Sequence, residues 1–322
     1  MRKSAKVAML IASILCFVGV ITCAVGLFGM KFDFSKLNTQ PIVTNTHEVT
    51  EDFSHISIQT NTADVVFAVS EDDNCHVVCN ETEKLTHLVS VEGDTLVIKR
   101  EDHRKWYEHI GIFIGEYSVT VYLPKYEYDS LSIETDTGDV EMPGNFKFGE
   151  TRVETDTGDV TWRSNVFGNF TLMTDTGDVF LERIAVIKTL KITSNTGDIH
   201  LDGLEVTKLE TEVDTGKTII CDCLVGDSIS AESNTGDVLL KNTRAQGRLL
   251  IETDTGDVEF DRSDAASIVV ETDTGDVTGS LLSEKIFFTE SDTGDIRVPQ
   301  SMTGGRCEIT TDTGDIVIEI VD

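Results

Sequence analysis

A four-residue motif, Asp-Thr-Gly-Asp or a close variant, recurs ten times in the C-terminal part of this 322-residue chain. Its glycines follow one another at intervals of 19 or 20 residues: Gly138, Gly158, Gly177, Gly197, Gly216, Gly236, Gly256, Gly275, Gly294 and Gly314. Units of this length are too short for a propeller blade or a helical-hairpin repeat, and they match one coil of a solenoid. The repeat therefore predicts an all-β fold, a parallel β-solenoid (β-helix) of about ten coils.

Apolar residues alternate with polar ones on both sides of each motif. The positions seven and five before the glycine are mostly apolar, as in Leu131 and Ile133, and so are the positions two and four after it, as in Val140 and Met142. This alternation is typical of strands with one buried face. Because the buried positions change parity across the motif, we predict that it forms a corner, where glycine allows φ > 0 and aspartate accepts backbone N–H groups.

The stretch before the repeats is predicted to close one end of the rod. Residues 48–124 contain several strand-like runs, and the tetrapeptide at 61–64 resembles a degenerate corner. We interpret 48–124 as an N-terminal β cap and 125–322 as the solenoid, with a linker at 31–47. Ten coils at about 4.8 Å would form a rod about 48 Å long. The run Ile316–Ile320 is expected to leave an open edge that a partner chain could cover.

The N-terminal residues predict a membrane segment. Residues 7–30 contain no charged side chain, and a bilayer core needs about 20 apolar residues. The basic residues within 1–6 place that end in the cytoplasm and the chain after Lys31 outside. The expected localisation is the cell membrane, as a single-pass protein with an extracellular C-terminal domain. Cleavage as a signal peptide and lipidation at Cys23 are the alternatives.

The charge of the chain restricts its partners. Asp and Glu number 57 against 26 Lys and Arg, which gives a formal net charge of −31. A surface of this charge repels nucleic acid, so no nucleic-acid partner is expected. It could attract metal cations, cationic peptides or basic surface polymers, although solubility of an exposed domain alone would also account for it.

The cysteines do not form a recognisable pattern. Two of the seven lie within 7–30, and the remaining five are irregularly spaced and odd in number, which is not typical of a disulfide framework. Cys75 and Cys79 could form a disulfide if their strands allow it, while Cys221 and Cys223 lie on one coil. Free or buried thiols are the expected outcome.

The motif itself does not indicate an enzyme. Asp-Thr-Gly is also the catalytic triplet of aspartic proteases, in which two copies face each other and share a proton. Ten stacked copies cannot form that dyad, and the chain contains no nucleophile elbow or P-loop signature. We therefore expect no catalysis. A carbohydrate-active β-helix enzyme remains an alternative, and it would require a non-repeated cluster of acids and bases on one outer face.

Calcium is the sharper alternative, because repeated aspartates line the corners of some calcium-binding β-rolls. The chain provides its own comparison, since the first aspartate becomes Asn195 and Asn234 and the second becomes Lys217. These exchanges favour a structural corner over a site that depends on charge. The weak candidate calcium ligands are the second aspartates of the motif: Asp139, Asp159, Asp178, Asp198, Asp237, Asp257, Asp276, Asp295 and Asp315. No other cofactor is expected.

Taken together, these residues resemble a family of bacterial envelope proteins named "putative adhesins", a domain of unknown function that includes LiaG-like proteins. The resemblance rests on the Thr-Asp-Thr-Gly-Asp-Val units between Thr135 and Ile316 and on the end of the cap at 119–124, and it covers about 48–322. It implies a β-solenoid at the cell surface and carries over no catalytic residue. The functional hypothesis is a membrane-anchored structural or interaction protein, adhesin-like or envelope-associated, with a cell-envelope polymer or protein as its partner.

Overall fold

The computed structural model describes residues 3–29, 31, 41–109 and 115–321. Parts of the predicted cytoplasmic end, anchor and linker (1–2, 30 and 32–40) lie outside the described residues. One α-helix, α1, spans Lys3–Gly29, and a short 3-10 helix spans Trp106–His109. The strands are β1 Ile42–Val49, β2 His55–Gln59, β3 Asp64–Val69, β4 Cys75–Thr82, β5 Leu85–Glu92, β6 Thr95–Asp102, β7 Ser118–Leu123, β8 Glu127–Thr135, β9 Val140–Met142, β10 Lys147–Thr157, β11 Val160–Trp162, β12 Asn165–Val166, β13 Phe170–Thr176, β14 Val179–Glu182, β15 Ala185–Thr196, β16 Ile199–Asp202, β17 Glu205–Thr215, β18 Thr218–Cys221, β19 Leu224–Val225, β20 Ile229–Thr235, β21 Val238–Lys241, β22 Arg244–Thr255, β23 Val258–Thr274, β24 Val277–Leu281, β25 Lys285–Thr293, β26 Ile296–Arg297, β27 Gly305–Thr313 and β28 Ile316–Ile320.

Helix α1 is apolar around its whole circumference after Lys6. Its stretch Ile11–Gly29 has a mean hydropathy of 2.5, and none of it is buried against the rest of the protein. Side chains such as Leu15 and Phe17 are therefore exposed. A helix of this length and composition fits either a membrane span or a signal sequence, because both require an unbroken apolar segment.

The repeats form the predicted parallel solenoid. Coils are numbered here 1 to 10 by their motif glycine, from Gly138 to Gly314. Strands of neighbouring coils pair in parallel and in register, so that Ile133, Val153 and Leu172 are stacked on one another. The residues after the corner form a second stack, as in the pairing of Val160 with Val179. Each coil therefore places equivalent residues above one another along the rod.

The buried positions agree with the alternation read from the sequence. In coils 1 to 8 and 10, the residues seven before the glycine and two after it are buried, as are Phe170 and Val179. A third buried column was not predicted, and two of its strands, β12 and β19, are only two residues long. It contains Phe148, Val166, Val186, Val206, Val225, Ala245 and Ala265.

The second corner of the coil uses left-handed backbone. Arg183, Asp222, Asn242 and Arg262 have φ between 49° and 54°, and Gly203 has φ 67° at the equivalent position. Each is followed by a residue whose side chain points into the core, as Thr243 and Ser263 do. Non-glycine residues rarely adopt this conformation, which is why the position was not recognisable in the sequence.

The cap continues the solenoid and then closes it. Strand β2 pairs in parallel with β6 and β8, and β3 pairs in parallel with β7 and β9, so residues 55–69 form a coil below coil 1. Strands β1, β4, β5 and β6 then pair antiparallel and cover the end. Strand β1 starts at Ile42, inside the stretch predicted to be a linker, because its residues complete the edge of β4.

The last two coils are stacked in the reverse of their sequence order. Strand β27 of coil 10 pairs with β23 of coil 8 on one side and with β25 of coil 9 on the other. The open edge predicted at Ile316–Ile320 is therefore present only in part, since β28 pairs with β24 along its whole length but with β26 only at 316–317. Coil 9 forms the end of the rod instead, and this is why Ile296, whose equivalents in the other coils are buried, is exposed.

A buried ion pair fixes this arrangement. The side chain of Lys285 in coil 9 is only 2% exposed, and its Nζ lies 2.5 Å from Oδ1 of Asp264. The Lys285 ammonium also donates to Ser283 Oγ at 2.6 Å. Between these layers Gly305 passes against the carbonyl of Ala266, where a side chain would collide. The ion pair therefore links coil 9 to strand β23 of coil 8, across the inserted coil 10.

All seven cysteines are free thiols. Cys75 and Cys79 lie on the same face of β4, four residues apart, which separates their Cα atoms by about 13 Å along a strand. The possible disulfide between them is therefore wrong, because a bridge requires Cα atoms within about 7 Å. Burial raises the pKa of both thiols to about 12, so they are neutral at physiological pH.

Candidate functional site

The Asp-Thr-Gly-Asp corner is held by backbone hydrogen bonds between coils. The N–H of eight of the ten motif glycines donates to the carbonyl of the motif threonine in the adjacent coil, as Gly177 does to Thr196 at 3.0 Å. The residue two after the glycine donates to the carbonyl of the next second aspartate, as Val160 does to Asp178 at 2.9 Å. Between these two donors, the N–H of the second aspartate needs another acceptor.

The second aspartate supplies that acceptor from its side chain. In nearly every coil its Oδ1 accepts the N–H of the equivalent residue in the adjacent coil, at 2.7–3.1 Å. The donor and acceptor residues are Asp139 and Asp64, Asp159 and Asp139, Asp178 and Asp159, Asp198 and Asp178, Lys217 and Asp198, Asp257 and Asp237, Asp276 and Asp257, Asp315 and Asp276, and Asp295 and Asp315. We call this series the aspartate ladder. The degenerate motif at 61–64 contributes its first member.

Glycine is required in the corner because the coils approach closely there. Gly197 has φ 141°, and a Cβ on it would collide with the carbonyl oxygen of Gly177. The same collision recurs in coil after coil. The predicted corner is therefore present, and the close approach of the backbone explains the glycine as much as its φ does.

The position three before the glycine adds a buried hydroxyl that the sequence reading overlooked. It is threonine or serine in most coils, and Thr135 and Thr155 are both 2% exposed. Oγ1 of Thr135 accepts the N–H of Gly138 at 3.2 Å, and Oγ of Ser291 donates to the carbonyl of Gly314 at 3.0 Å. The alternation could have identified it, because this position lies two residues after the buried residue five before the glycine and therefore faces the same side.

Lys217 is the exception in the ladder. It has no side-chain acceptor, so it cannot cap the next amide as an aspartate does. Its Nζ instead lies 2.7 Å from Oδ2 of Asp237. The hydrogen bond from Lys217 holds the pKa of Asp237 below its ordinary value. The lysine therefore replaces a capping bond with an exposed ion pair within the row of carboxylates.

The first aspartate of the motif is exposed to solvent, and the two asparagines that replace it each form a hydrogen bond to the equivalent aspartate of the preceding coil. Nδ2 of Asn195 donates to Oδ1 of Asp175, and Nδ2 of Asn234 donates to Oδ1 of Asp214, each at 3.0 Å. An amide donor between stacked carboxylates replaces like-charge repulsion with a hydrogen bond.

A wider group of carboxylates surrounds this column in coils 5 to 8. The equivalent outward positions are stacked in register and exposed to solvent. We call this surface the acidic face, and it consists of Glu212, Asp214, Glu232, Glu252, Asp254, Glu271 and Asp273. Coils stacked at about 4.8 Å place these carboxylates in rows with a regular spacing along the rod.

Calcium binding by the nine second aspartates stays a prediction. One oxygen of most of these carboxylates already accepts a backbone amide, and Oδ2 of Asp237 and of Asp295 is paired with Lys217 and Arg297. Calcium takes six to eight oxygen ligands. Over the described part of the chain, only Cys79, Glu81 and His87 bring three potential ligand atoms within 4.8 Å of one another, and this group lies in the cap.

These features define the class of protein: a β-solenoid whose coils are joined at one corner by an aspartate ladder. The model of the Toastrack family, DUF4097, matches residues 53–319. The chain therefore belongs to the Toastrack family. No curated protein matches its sequence.

Several solved structures are similar to the chain at low sequence identity. A "putative adhesin" from Parabacteroides distasonis is 12% identical with a TM-score of 0.49, over 76% of this chain and 98% of its own. A "putative lipid binding protein" from the same species is 16% identical with a TM-score of 0.42, over 86% and 97%. A "putative adhesin" from Bacteroides fragilis is 14% identical with a TM-score of 0.34, over 87% and 98%. Structural similarity at these TM-scores does not indicate a function.

Proposed function

We propose that this Toastrack protein is a membrane-anchored extracellular rod that acts as a structural or interaction protein, adhesin-like or envelope-associated, and catalyses no reaction. The observation that carries the proposal is the acidic face, whose carboxylates are exposed and repeat in register from coil to coil. A repeated surface suits a repeated partner, because each coil can make the same contact.

Helix α1 supports the location. It is long and apolar enough to cross a membrane, and basic residues precede it. The proposed topology leaves the N-terminus in the cytoplasm and the cap and solenoid outside the cell. Membership of the LiaG-like group, which the sequence resemblance implies, belongs to the same proposal.

The proposed partner is a cell-envelope polymer or protein with regularly spaced positive charges. An exposed ion pair contributes about 0.5 kcal/mol, so one contact is weak. Several contacts made by one rod add, because the later ones form at the high effective concentration set by the first. The net charge of −31 also favours encounter with cations and disfavours nucleic acid.

The test compares two variants with the same loss of charge. The face variant carries Gln at Glu232, Glu252 and Glu271, and the control variant carries Gln at Glu141, Glu259 and Glu319, which are exposed on the strands after the corner. Binding of the full chain in detergent micelles to isolated envelope fractions is measured. Three lost contacts of about 0.5 kcal/mol each predict about tenfold weaker binding of the face variant and little change in the control. An equal loss in both would show that net charge alone matters, and wild-type protein that does not bind would refute the proposal.

A calcium-dependent binding module is the second candidate. The observation that favours it is the stacked row of second-aspartate carboxylates, most of which use Oδ1 to accept a backbone amide. Thermal unfolding of the full chain, first with EDTA and then with millimolar calcium, tests it. A large calcium-dependent rise in Tm would support calcium binding, whereas an unchanged Tm would leave the ladder as a backbone cap. A carbohydrate-active enzyme is a third candidate, and polysaccharide cleavage by the same preparation tests it.

A further inference from the structure

A buried group of polar side chains lies in the N-terminal cap, away from the corner and the acidic face. Cys79 and Glu81 lie two residues apart on the inward face of β4, and the side chain of His87 approaches them from β5. All three residues are buried, at 0%, 1% and 5% exposure, and one ligand atom from each lies within 4.8 Å of the others. The sequence did not indicate this group, because its residues belong to two different strands.

Hydrogen bonds already orient two of the three side chains. Oε1 of Glu81 accepts Nδ2 of Asn45 at 2.6 Å, and its Oε2 accepts the backbone N–H of His87 at 2.6 Å. Nδ1 of His87 lies 2.9 Å from the same Oε2, while its Nε2 lies 3.0 Å from Oγ1 of Thr60. Thr60 therefore holds Nε2 as an outer partner holds a metal-ligating histidine, whereas Nδ1 would exchange its hydrogen bond with Glu81 for the metal.

The three side chains present one sulfur, one nitrogen and one oxygen ligand atom, all shielded from solvent. A divalent cation bound to one thiolate, one carboxylate and one neutral imidazole would give a site with no net charge.

We propose that Cys79, Glu81 and His87 form a zinc site that joins β4 and β5 in the cap. Sulfur, nitrogen and oxygen ligands are those that zinc accepts, whereas calcium and magnesium prefer oxygen alone. Zinc binds through Cys79 Sγ, a Glu81 carboxylate oxygen and His87 Nδ1. The thiol proton leaves to solvent, and the imidazole keeps its proton on Nε2, where it donates to Oγ1 of Thr60.

His47 supplies the fourth ligand in this proposal. Its register partner is Val77, so it lies on the same side of the β1–β4 pair as Cys79. Its Nε2 is buried and has no hydrogen-bond partner. Buried polar atoms are normally satisfied, so an unpaired ring nitrogen beside a potential metal site points to a ligand. His47 is not one of the three residues whose ligand atoms lie within 4.8 Å of one another, so its side chain would have to rotate to reach the ion and tie β1 to the site.

Cobalt is the probe, because it reports the ligands by its colour. The full chain in detergent micelles is stripped with a chelator and titrated with Co²⁺. We expect equimolar binding with a sulfur-to-cobalt charge-transfer band and the strong visible bands of tetrahedral coordination. Cys79→Ser should lose the charge-transfer band, and Thr60→Val should bind about 10-fold to 100-fold more weakly.

Cys75→Ser is the matched control, since Cys75 is an equally buried thiol on the same face of β4. It should keep the band. A band that persists in Cys79→Ser, or no band in the wild type, would overturn the proposal. Because Cys79→Ser could fail to fold, X-ray absorption of the zinc-loaded wild type gives an independent answer. A sulfur atom in the first coordination shell supports the site, and a shell of nitrogen and oxygen alone overturns it.

Discussion

Removal of one carboxylate from the aspartate ladder tests whether the motif is a backbone cap or an ion site. Oδ1 of Asp159 accepts the N–H of Asp178 at 2.8 Å, and no other acceptor for that N–H lies in the corner pattern. Asp159→Ala removes the acceptor from a charge-assisted bond, which is worth about 1.5–3 kcal/mol. Solvent can reach the exposed corner, so we expect the lower end, about 1.5 kcal/mol.

Asp159→Asn separates the two roles, because asparagine keeps the Oδ1 acceptor and loses the charge. We expect it to cost less than about 0.5 kcal/mol, since a weaker bond is offset by reduced repulsion between stacked carboxylates. A solenoid opens locally, so the local stability of the corner is the quantity to measure. Hydrogen exchange of the Asp178 amide should be about tenfold faster in Asp159→Ala and nearly unchanged in Asp159→Asn.

The two variants also define what would refute the reasoning. If Asp159→Ala leaves the exchange of Asp178 unchanged, the side chain does not cap the backbone. If Asp159→Asn is as damaging as Asp159→Ala in EDTA, the charge matters in a way that a hydrogen-bonded cap does not explain. Circular dichroism of both variants serves as the control for global unfolding.

Three further predictions concern the corner, the end of the rod and pH. Gly197→Ala should destabilise the solenoid by about 3 kcal/mol, because the added Cβ collides with a backbone carbonyl. Gly226→Ala is the control: the nearest atom to its added Cβ is at 3.7 Å, so stability should change by less than about 1 kcal/mol. Urea unfolding measures both variants. Coil 10 lies between coils 8 and 9, so removal of residues 299–322 takes away the coil on which coil 9 is stacked. Coil 9 should then become sensitive to limited proteolysis, and continued protection of coil 9 would contradict the observed order. Asp237 has a lowered pKa in the folded protein, so its contribution to stability is present above the unfolded pKa of about 3.9 and is lost as pH falls through the folded pKa. Because Lys217 is the main cause of this lowered pKa, Lys217→Ala should reduce the acid sensitivity of the corner. Hydrogen exchange of the corner amides between pH 5 and 2 measures it.

The sequence determined the repeated part of the molecule. Each coil obeys local rules: two alternating strands, a change of parity, and a glycine with an aspartate beside it. The burial of Leu172 and Val179 follows from those rules alone. The apolar N-terminal helix is equally local, since length and hydropathy suffice to recognise it. The sequence predicted that Asp159 accepts a backbone N–H, but it did not identify that N–H as the one of Asp178, because this depends on the neighbouring coil.

Tertiary structure alone decided the features that join distant parts of the chain. Coils 9 and 10 carry the same motif, so the pattern could not show that coil 10 inserts below coil 9; the buried Lys285–Asp264 pair and the passage of Gly305 against coil 8 settle the order. The cap contains only one degenerate copy of the motif, at 61–64, and no pattern in its sequence predicts that Cys79 lies beside His87 in the folded chain. A repeat specifies what each coil is because its contacts are periodic, but the ends of a rod lack a neighbour on one side, and their packing depends on contacts that occur once.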